Sequence, residues 1–163
     1  MSGFSNTQPN MAFLKQRLNK NIAAGEKLIS AEYWMTIKGY EHLSILIRAT
    51  QFPEMTREDV EDVGPGGLKF NQHGVLRNSG EFQVSCVETI EGDVFKAVRE
   101  LVRQKKYVDI VVSAASESKG GEDGGITRTF THCKIYCDAV DMASDDVTTA
   151  VRPSLRVVYN WAE

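Results

Sequence analysis

Apolar and polar positions change period several times along this chain, and each change predicts an element. In Glu81–Glu88, "EFQVSCVE", Phe82, Val84 and Cys86 fall on one side and Gln83 and Ser85 on the other. That two-residue alternation predicts a strand with one buried face. Val94, Ala97, Val98, Leu101 and Val102 then recur at helical spacing, with Lys96, Arg99, Glu100 and Arg103 off the stripe. They predict an amphipathic helix from Asp93 to about Gln104. Asp93 is its expected cap, and Lys105 and Lys106 suit the negative end of its dipole. Tyr107–Ala115 predicts another strand, and Thr127–Asp138 a further one that continues, bent or bulged, through Ala139–Met142. In the last ten residues Leu155, Val157, Tyr159 and Trp161 alternate with Arg156, Val158 and Asn160 and share one face of a terminal strand. The glycine-rich "SESKGGEDGG", Ser116–Gly125, reads as a mobile hairpin tip, and "ASDDVTTAVRP" as a turn region.

Toward the start, "EYWMTIK" and "LSILIRAT" flank the turn residues Gly39-Tyr40-Glu41 and end before Pro53. They predict a β-hairpin closed by a residue that cannot donate to a ladder. Residues 1–30 are less patterned, although Phe13, Leu14, Leu18 and Ile22 allow a short amphipathic helix. Between hairpin and strand lies "EDVGPGGLKFNQHGVLRNSGEF", with four glycines in its first fourteen residues and apolar groups at Leu68, Phe70, Val75 and Leu76. A linker has no use for those side chains, and a core strand does not tolerate that much glycine. The segment therefore predicts a loose excursion whose apolar patch is covered by a partner. The order of elements predicts a mainly β domain, an antiparallel sandwich or barrel with one helix against it, over residues 31–163, preceded by an arm over residues 1–30.

Composition narrows what such a domain can do. The 163 residues fit one domain with a real core. No apolar run reaches the roughly 18–20 residues of a membrane span. "MSGFSNTQPNMAFLKQRL" has no signal-peptide pattern, which predicts a protein made and kept in a cytoplasm. Three cysteines make no disulfide framework. Cys133 and Cys137, with His132 adjacent, lack the paired ligand motifs of a zinc site and read as small half-buried thiols. "GPGG" is not followed by a helix signal or a Lys-Ser/Thr pair, and His42, His73 and His132 sit in no nucleophile motif. The aromatic residues have no basic neighbours of the kind a base-stacking platform uses. No catalytic residue, cofactor or metal is predicted.

The net charge of −3 hides a division. Residues 1–30 hold Lys15, Arg17, Lys20 and Lys27 against Glu26, so +3, which leaves 15 basic and 21 acidic side chains, −6, on the rest. The acidic runs at Asp145-Asp146 and at Glu58-Asp59 with Glu61-Asp62 have no calcium-loop pattern. They read as solvated surface or, functionally, as an electronegative wall or a contact for a basic arm.

Four stretches then carry a resemblance. They are "YWMTIKG"; "IRATQFPEM" leading into the excursion that returns at "GEFQVSCVE"; the helix "GDVFKAVRELVRQ"; and "CDAVDMASDDVTTAVRPSLRVVYNWAE". Over residues 31–163 this pattern resembles the tail tube proteins of contractile-tailed bacteriophages, whose fold is shared with the Hcp tube component of type VI secretion and with related injection systems. The resemblance implies a tail-tube-like fold and six-membered rings stacked into a hollow tube within a virion tail assembled in the host cytoplasm. It implies a surrounding contractile sheath, baseplate and tail-terminator partners, and DNA that passes without specific binding. The excursion, with Leu68, Phe70, Val75 and Leu76, would reach neighbouring subunits and the next ring. Acids on polar strand faces, Glu88, Asp109 and Asp138, are candidates to line the channel, and Lys15, Arg17 and Lys20 to touch a neighbour or the sheath. Alternatives are a baseplate or tail-terminus ring protein, a secretion-system tube subunit, or a small-ligand-binding β-barrel, which would be a monomer with an apolar cavity.

Overall fold

The computed structural model describes residue 3, residues 8–120 and residues 123–163. The chain divides into two compact units, residues 1–31 and residues 32–163. In the first, helix α1 spans Met11–Ala23. The Asn10 side-chain oxygen accepts from the Phe13 N–H at 3.0 Å and caps its start. No residue of α1 is buried.

The second unit is built on strands β1 (Tyr33–Ile37), β2 (Ile47–Ala49), β3 (Thr56–Val63), β4 (Lys69–Arg77), β5 (Gly80–Cys86), β6 (Val108–Ala115), β7 (Asp123–Cys137), β8 (Ser154–Tyr159) and β9 (Trp161–Ala162), with helix α2 at Asp93–Arg103 between β5 and β6. The main sheet runs β1-β6-β7-β8-β5-β2, with β9 also on β7 and every pairing antiparallel. Its two end strands meet through a side chain: the Tyr33 hydroxyl on β1 donates to the Ile47 carbonyl on β2 at 3.3 Å. The result is nearly closed and barrel-like.

Closure depends on β7, whose 15 residues pair with β6 in one half and with β8 in the other. The handover is a bulge, where the register steps from Val108↔Cys133 to Ile110↔Phe130. His132 holds the extra residue at φ +56, left-handed backbone that a non-glycine residue adopts only when its surroundings insist. They do. An Asp109 carboxylate oxygen accepts from the His132 N–H at 3.1 Å. The imidazole stacks on Tyr107 with centroids 3.8 Å apart. The Asn160 side-chain amide lies 2.7 Å from His132 Nδ1 and donates to the His132 carbonyl at 2.9 Å.

Alternation predicts the core well. Phe82, Val84 and Cys86 of β5, and Leu155, Val157 and Tyr159 of β8, are buried against Ile110, Val112, Phe130 and Ile135. Phe82, Phe130 and Tyr159 form a tilted aromatic trio with centroids 5.0–6.1 Å apart. Helix α2 adds Val94, Ala97, Val98 and Leu101, whereas Val102 at the edge of its stripe stays exposed.

Pairings and ends differ from the sequence reading. The predicted hairpin over residues 32–50 does not form. Glu41–Leu46 is a 3₁₀ turn that buries Leu43, and it delivers β1 to β6 and β2 to β5 at opposite ends of the sheet. Alternation says which face is apolar but nothing about which strand lies alongside. Ala139–Met142 is not strand, since β7 stops at Cys137 where its pairing to β8 ends. Trp161 does not share the Tyr159 face: the chain bends at Asn160, and the shifted β9 buries Ala162 and exposes Trp161. The tip predicted over Ser116–Gly125 lies partly outside the described residues; Glu117–Lys119 is a 3₁₀ turn.

Candidate functional site

The glycine-rich excursion over residues 56–77 has no buried residue among those described. It is an antiparallel hairpin, β3 on β4, paired from Thr56↔Arg77 to Val63↔Lys69 with one register shift and separate from the main sheet. The expected looseness is therefore corrected, because two of its glycine clusters have geometric work. At the turn, Gly66 and Gly67 take φ +78 and +75, and the Gly64 N–H donates to the Leu68 carbonyl at 2.8 Å. Near the root, the register jumps between Arg57↔Leu76 and Asp59↔His73, a bulge on β4. There a Cβ on Gly74 would stand 2.7 Å from the Glu58 carbonyl oxygen, so only glycine fits without moving backbone.

Neither face of this ribbon is covered. Leu68, Phe70, Val75 and Leu76 are 76%, 61%, 72% and 52% exposed, and Val60 and Val63 are open too. Register divides these groups. Phe70, opposite Asp62, shares a face with Val60; Val63, opposite Lys69, lies on the other; Leu68 is at the turn. The hairpin is thus a blade with apolar side chains on both faces. An isolated two-stranded ribbon is marginal in water, and its two outer edges present unpaired backbone groups. One exposed ion pair, Glu58 to Arg77 at 3.0 Å, crosses it. At its root an open groove of about 720 Å³ is lined by Met55, Arg57, Leu76, Ile126, Arg128 and Tyr159 among others.

The three acids named for a channel wall have separate duties. The half-buried Glu88 is taken up by α2: its carboxylate accepts from the Thr89, Val94 and Phe95 N–H groups at 2.9, 3.2 and 2.9 Å. An anion there answers the unpaired donors and positive end of the helix. Glu88, with Gly92 at the cap position, does what Asp93 was expected to do; Asp93 instead accepts from the Thr89 hydroxyl at 3.0 Å. Asp109 is spent on the β7 bulge. Only Asp138 has an exposed carboxylate with no partner among the described residues, while its N–H donates to the Ser154 carbonyl at 3.0 Å. Glu88 and Asp138 both lie near Cys137, whose thiol is pushed up first by burial and then by these two charges. Burial pushes the Cys86 and Cys133 thiols up to about 12. Lys15, Arg17 and Lys20 all lie on α1, where the Arg17 guanidinium sits 5.0 Å from the Phe13 ring centroid.

Sequence reasoning missed Val60 and Val63, which hide between the acids of β3, and the Asp109–His132–Asn160 clamp, whose members are far apart in the chain. For the valines the signal was present as a strand-length run, "TREDVEDV", read only for its charge.

No protein-family model matches this chain, and no curated protein matches it. Its fold does match solved structures. The sheath/tube terminator of the PVC extracellular contractile injection system in the extended state aligns with a TM-score of 0.67 at 10% identity, over 85% of this chain and 96% of that one. The PVC sheath–tube complex in the extended state gives 0.63 at 14% identity, over 88% and 95%. The tube-terminating cap of the anti-feeding prophage gives 0.63 at 11% identity, over 85% and 91%. At such identities the likeness is one of fold. This chain has the mainly antiparallel, tail-tube-like β architecture.

Proposed function

We propose that this chain is a structural subunit of a bacteriophage tail tube. Copies close into six-membered rings, the rings stack into a hollow channel for genome delivery, and a contractile sheath surrounds the tube. The observation that carries this reading is the β3–β4 hairpin, a paired blade bare on both faces, on a fold found among tube, terminator and cap components.

Magnitudes favour stacked rings over pairs of subunits. Covering Leu68, Phe70, Val75 and Leu76 is worth roughly 6–12 kcal/mol at best. Association of two bodies costs roughly 4–15 kcal/mol. One hairpin contact therefore comes out near even, whereas ring on ring makes six such contacts for a single loss of rigid-body freedom. Within a ring, the outer edges of β3 and β4, which pair with no further strand among the described residues, are the ones available to strands of neighbours. An acidic body suits a conduit that must not hold phosphates. Of the three candidate acids, Asp138 has the carboxylate still free for that wall, and sheath, baseplate and terminator proteins take the outside and the ends.

The test is negative-stain electron microscopy with light-scattering mass on the purified protein. Rings and stacked tubes are expected, and Phe70→Ser with Leu76→Ser should leave folded subunits that no longer stack. A lone chain of 18.2 kDa at every concentration overturns the proposal. The likeness to a terminator and to a cap supports a second reading, an end-of-tube ring protein; that reading predicts single rings that never lengthen.

A further inference from the structure

The N-terminal helix and strand β3 of the hairpin are both exposed, one basic and the other acidic, and each carries apolar side chains. On α1, Met11, Leu14, Leu18 and Ile22 fall at spacings of three, four and four and make one stripe, all of it exposed. At 3.6 residues per turn, Lys15 lies beside Ile22 on one flank of that stripe and Arg17 beyond Leu14 on the other. A helix of 13 residues with no buried side chain is short of what stands alone in water. On β3, Glu58, Asp59, Glu61 and Asp62 crowd four carboxylates into five residues around Val60, with Val63 just beyond. Among the described residues only Glu58 of these four is ion-paired. Sizes agree as well: α1 is about 20 Å long and β3 about 26 Å.

We infer that the basic helix α1 of one copy lies along the acidic strand β3 of the hairpin of a second copy, its Leu14–Leu18 stripe over Val60 and Phe70 and its Lys15 and Arg17 toward Asp62, the unpaired carboxylate on that face. This inference rests on the proposed assembly and names what covers the hairpin. The occupant is a second copy because the chain carries both halves of the contact, +3 on residues 1–30 and −6 on the remainder. A contact between two different patches propagates along an assembly when it repeats head to tail, and closes as a pair only when two copies exchange helices. Its charged rim weakens with salt, since the screening length falls from about 10 Å at 0.1 M to about 3 Å at 1 M.

The experiment uses full-length protein with Cys137→Ser, because Cys137 is the one thiol of the three that is not buried. One preparation carries Leu18→Cys and another Val60→Cys; they are mixed, allowed to assemble and treated with a short bismaleimide. A two-chain product is expected from the mixture and not from either preparation alone. Lys15→Glu with Arg17→Glu on the helix should cut its yield roughly tenfold, and Asp62→Lys on the partner should restore part of it. Rings or tubes in the micrographs with no cross-link overturn this inference and leave the tube reading standing. A cross-link without any ring does the reverse, keeping the helix–hairpin contact and removing the tube. A product formed only within a chain carrying both cysteines, unchanged on dilution, assigns α1 to its own hairpin and overturns the inference. So does co-sedimentation of an uncross-linked protein with anionic lipid vesicles.

Discussion

Phe130 and Phe70 are both phenylalanines on antiparallel strands, yet one is fully buried and the other is 61% exposed. Strand β7 is sandwiched between partners, and its inward side chains meet Phe82, Tyr159 and α2. Strand β4 pairs with β3 and with no other strand among the described residues. The backbone satisfies itself equally well in both places, so hydrogen bonding does not explain the difference. A sheet becomes core only where a second layer covers a face, and among the described residues of the second unit none forms a second layer on the hairpin. The barrel buries its apolar faces, whereas the hairpin leaves its apolar side chains exposed.

Truncating one side chain in each region breaks that comparison most directly. Phe130→Ala should cost about 3–5 kcal/mol of unfolding free energy in urea, by lost burial and a cavity in the aromatic trio. Phe70→Ala should stay within about 0.5 kcal/mol while abolishing assembly. Equal costs would place Phe70 in the core. Gly74→Ala has a smaller and local effect, about 1–3 kcal/mol, because the new methyl must displace the Glu58 carbonyl. Hydrogen exchange should speed up across β3 and β4 and stay unchanged in β5 and β8; slowed exchange in the hairpin would contradict the geometry.

The thiols sharpen the comparison last, since at neutral pH they add nothing. Cys86 and Cys133 sit in the barrel with values raised from 9.0 to about 12. Above pH 9 the unfolded chain loses these protons first, so it binds fewer than the folded chain and stability falls as pH rises toward 12. Cys86→Ala should flatten the pH dependence of the urea midpoint over that range, and the hairpin, having no thiol, should not share in it. A slope unchanged by the substitution would mean the raised thiol is not coupled to folding.

Some of this architecture was legible because its cause is local. Phe82, Val84 and Cys86, and Val94, Ala97, Val98 and Leu101, announce their buried faces through spacing alone, since the pleat and the helical turn fix where each side chain points. The exposed apolar groups at Leu68, Phe70, Val75 and Leu76 were legible for the opposite reason, as side chains that glycine-rich surroundings had no way to bury. Their regular pairing was less so. Gly66 and Gly67 serve a tight turn and Gly74 a bulge, and the same glycines written in sequence look like slack.

By itself, then, the order of residues determined the fold class, the inward faces of β5, β8 and α2, the charge division between the arm and the rest, and the exposure of the apolar side chains on the excursion. Tertiary structure alone decided that β1 lies on β6 and not on β2, that Glu88 secures α2, that Asp109 and Asn160 hold His132 in left-handed backbone, and that Trp161 turns outward after the bend at Asn160. The reason is physical. Periodicity records how one residue stands relative to its immediate neighbours, while strand partnership and capping join groups tens of residues apart, whose meeting is settled by the closure and packing of the whole sheet.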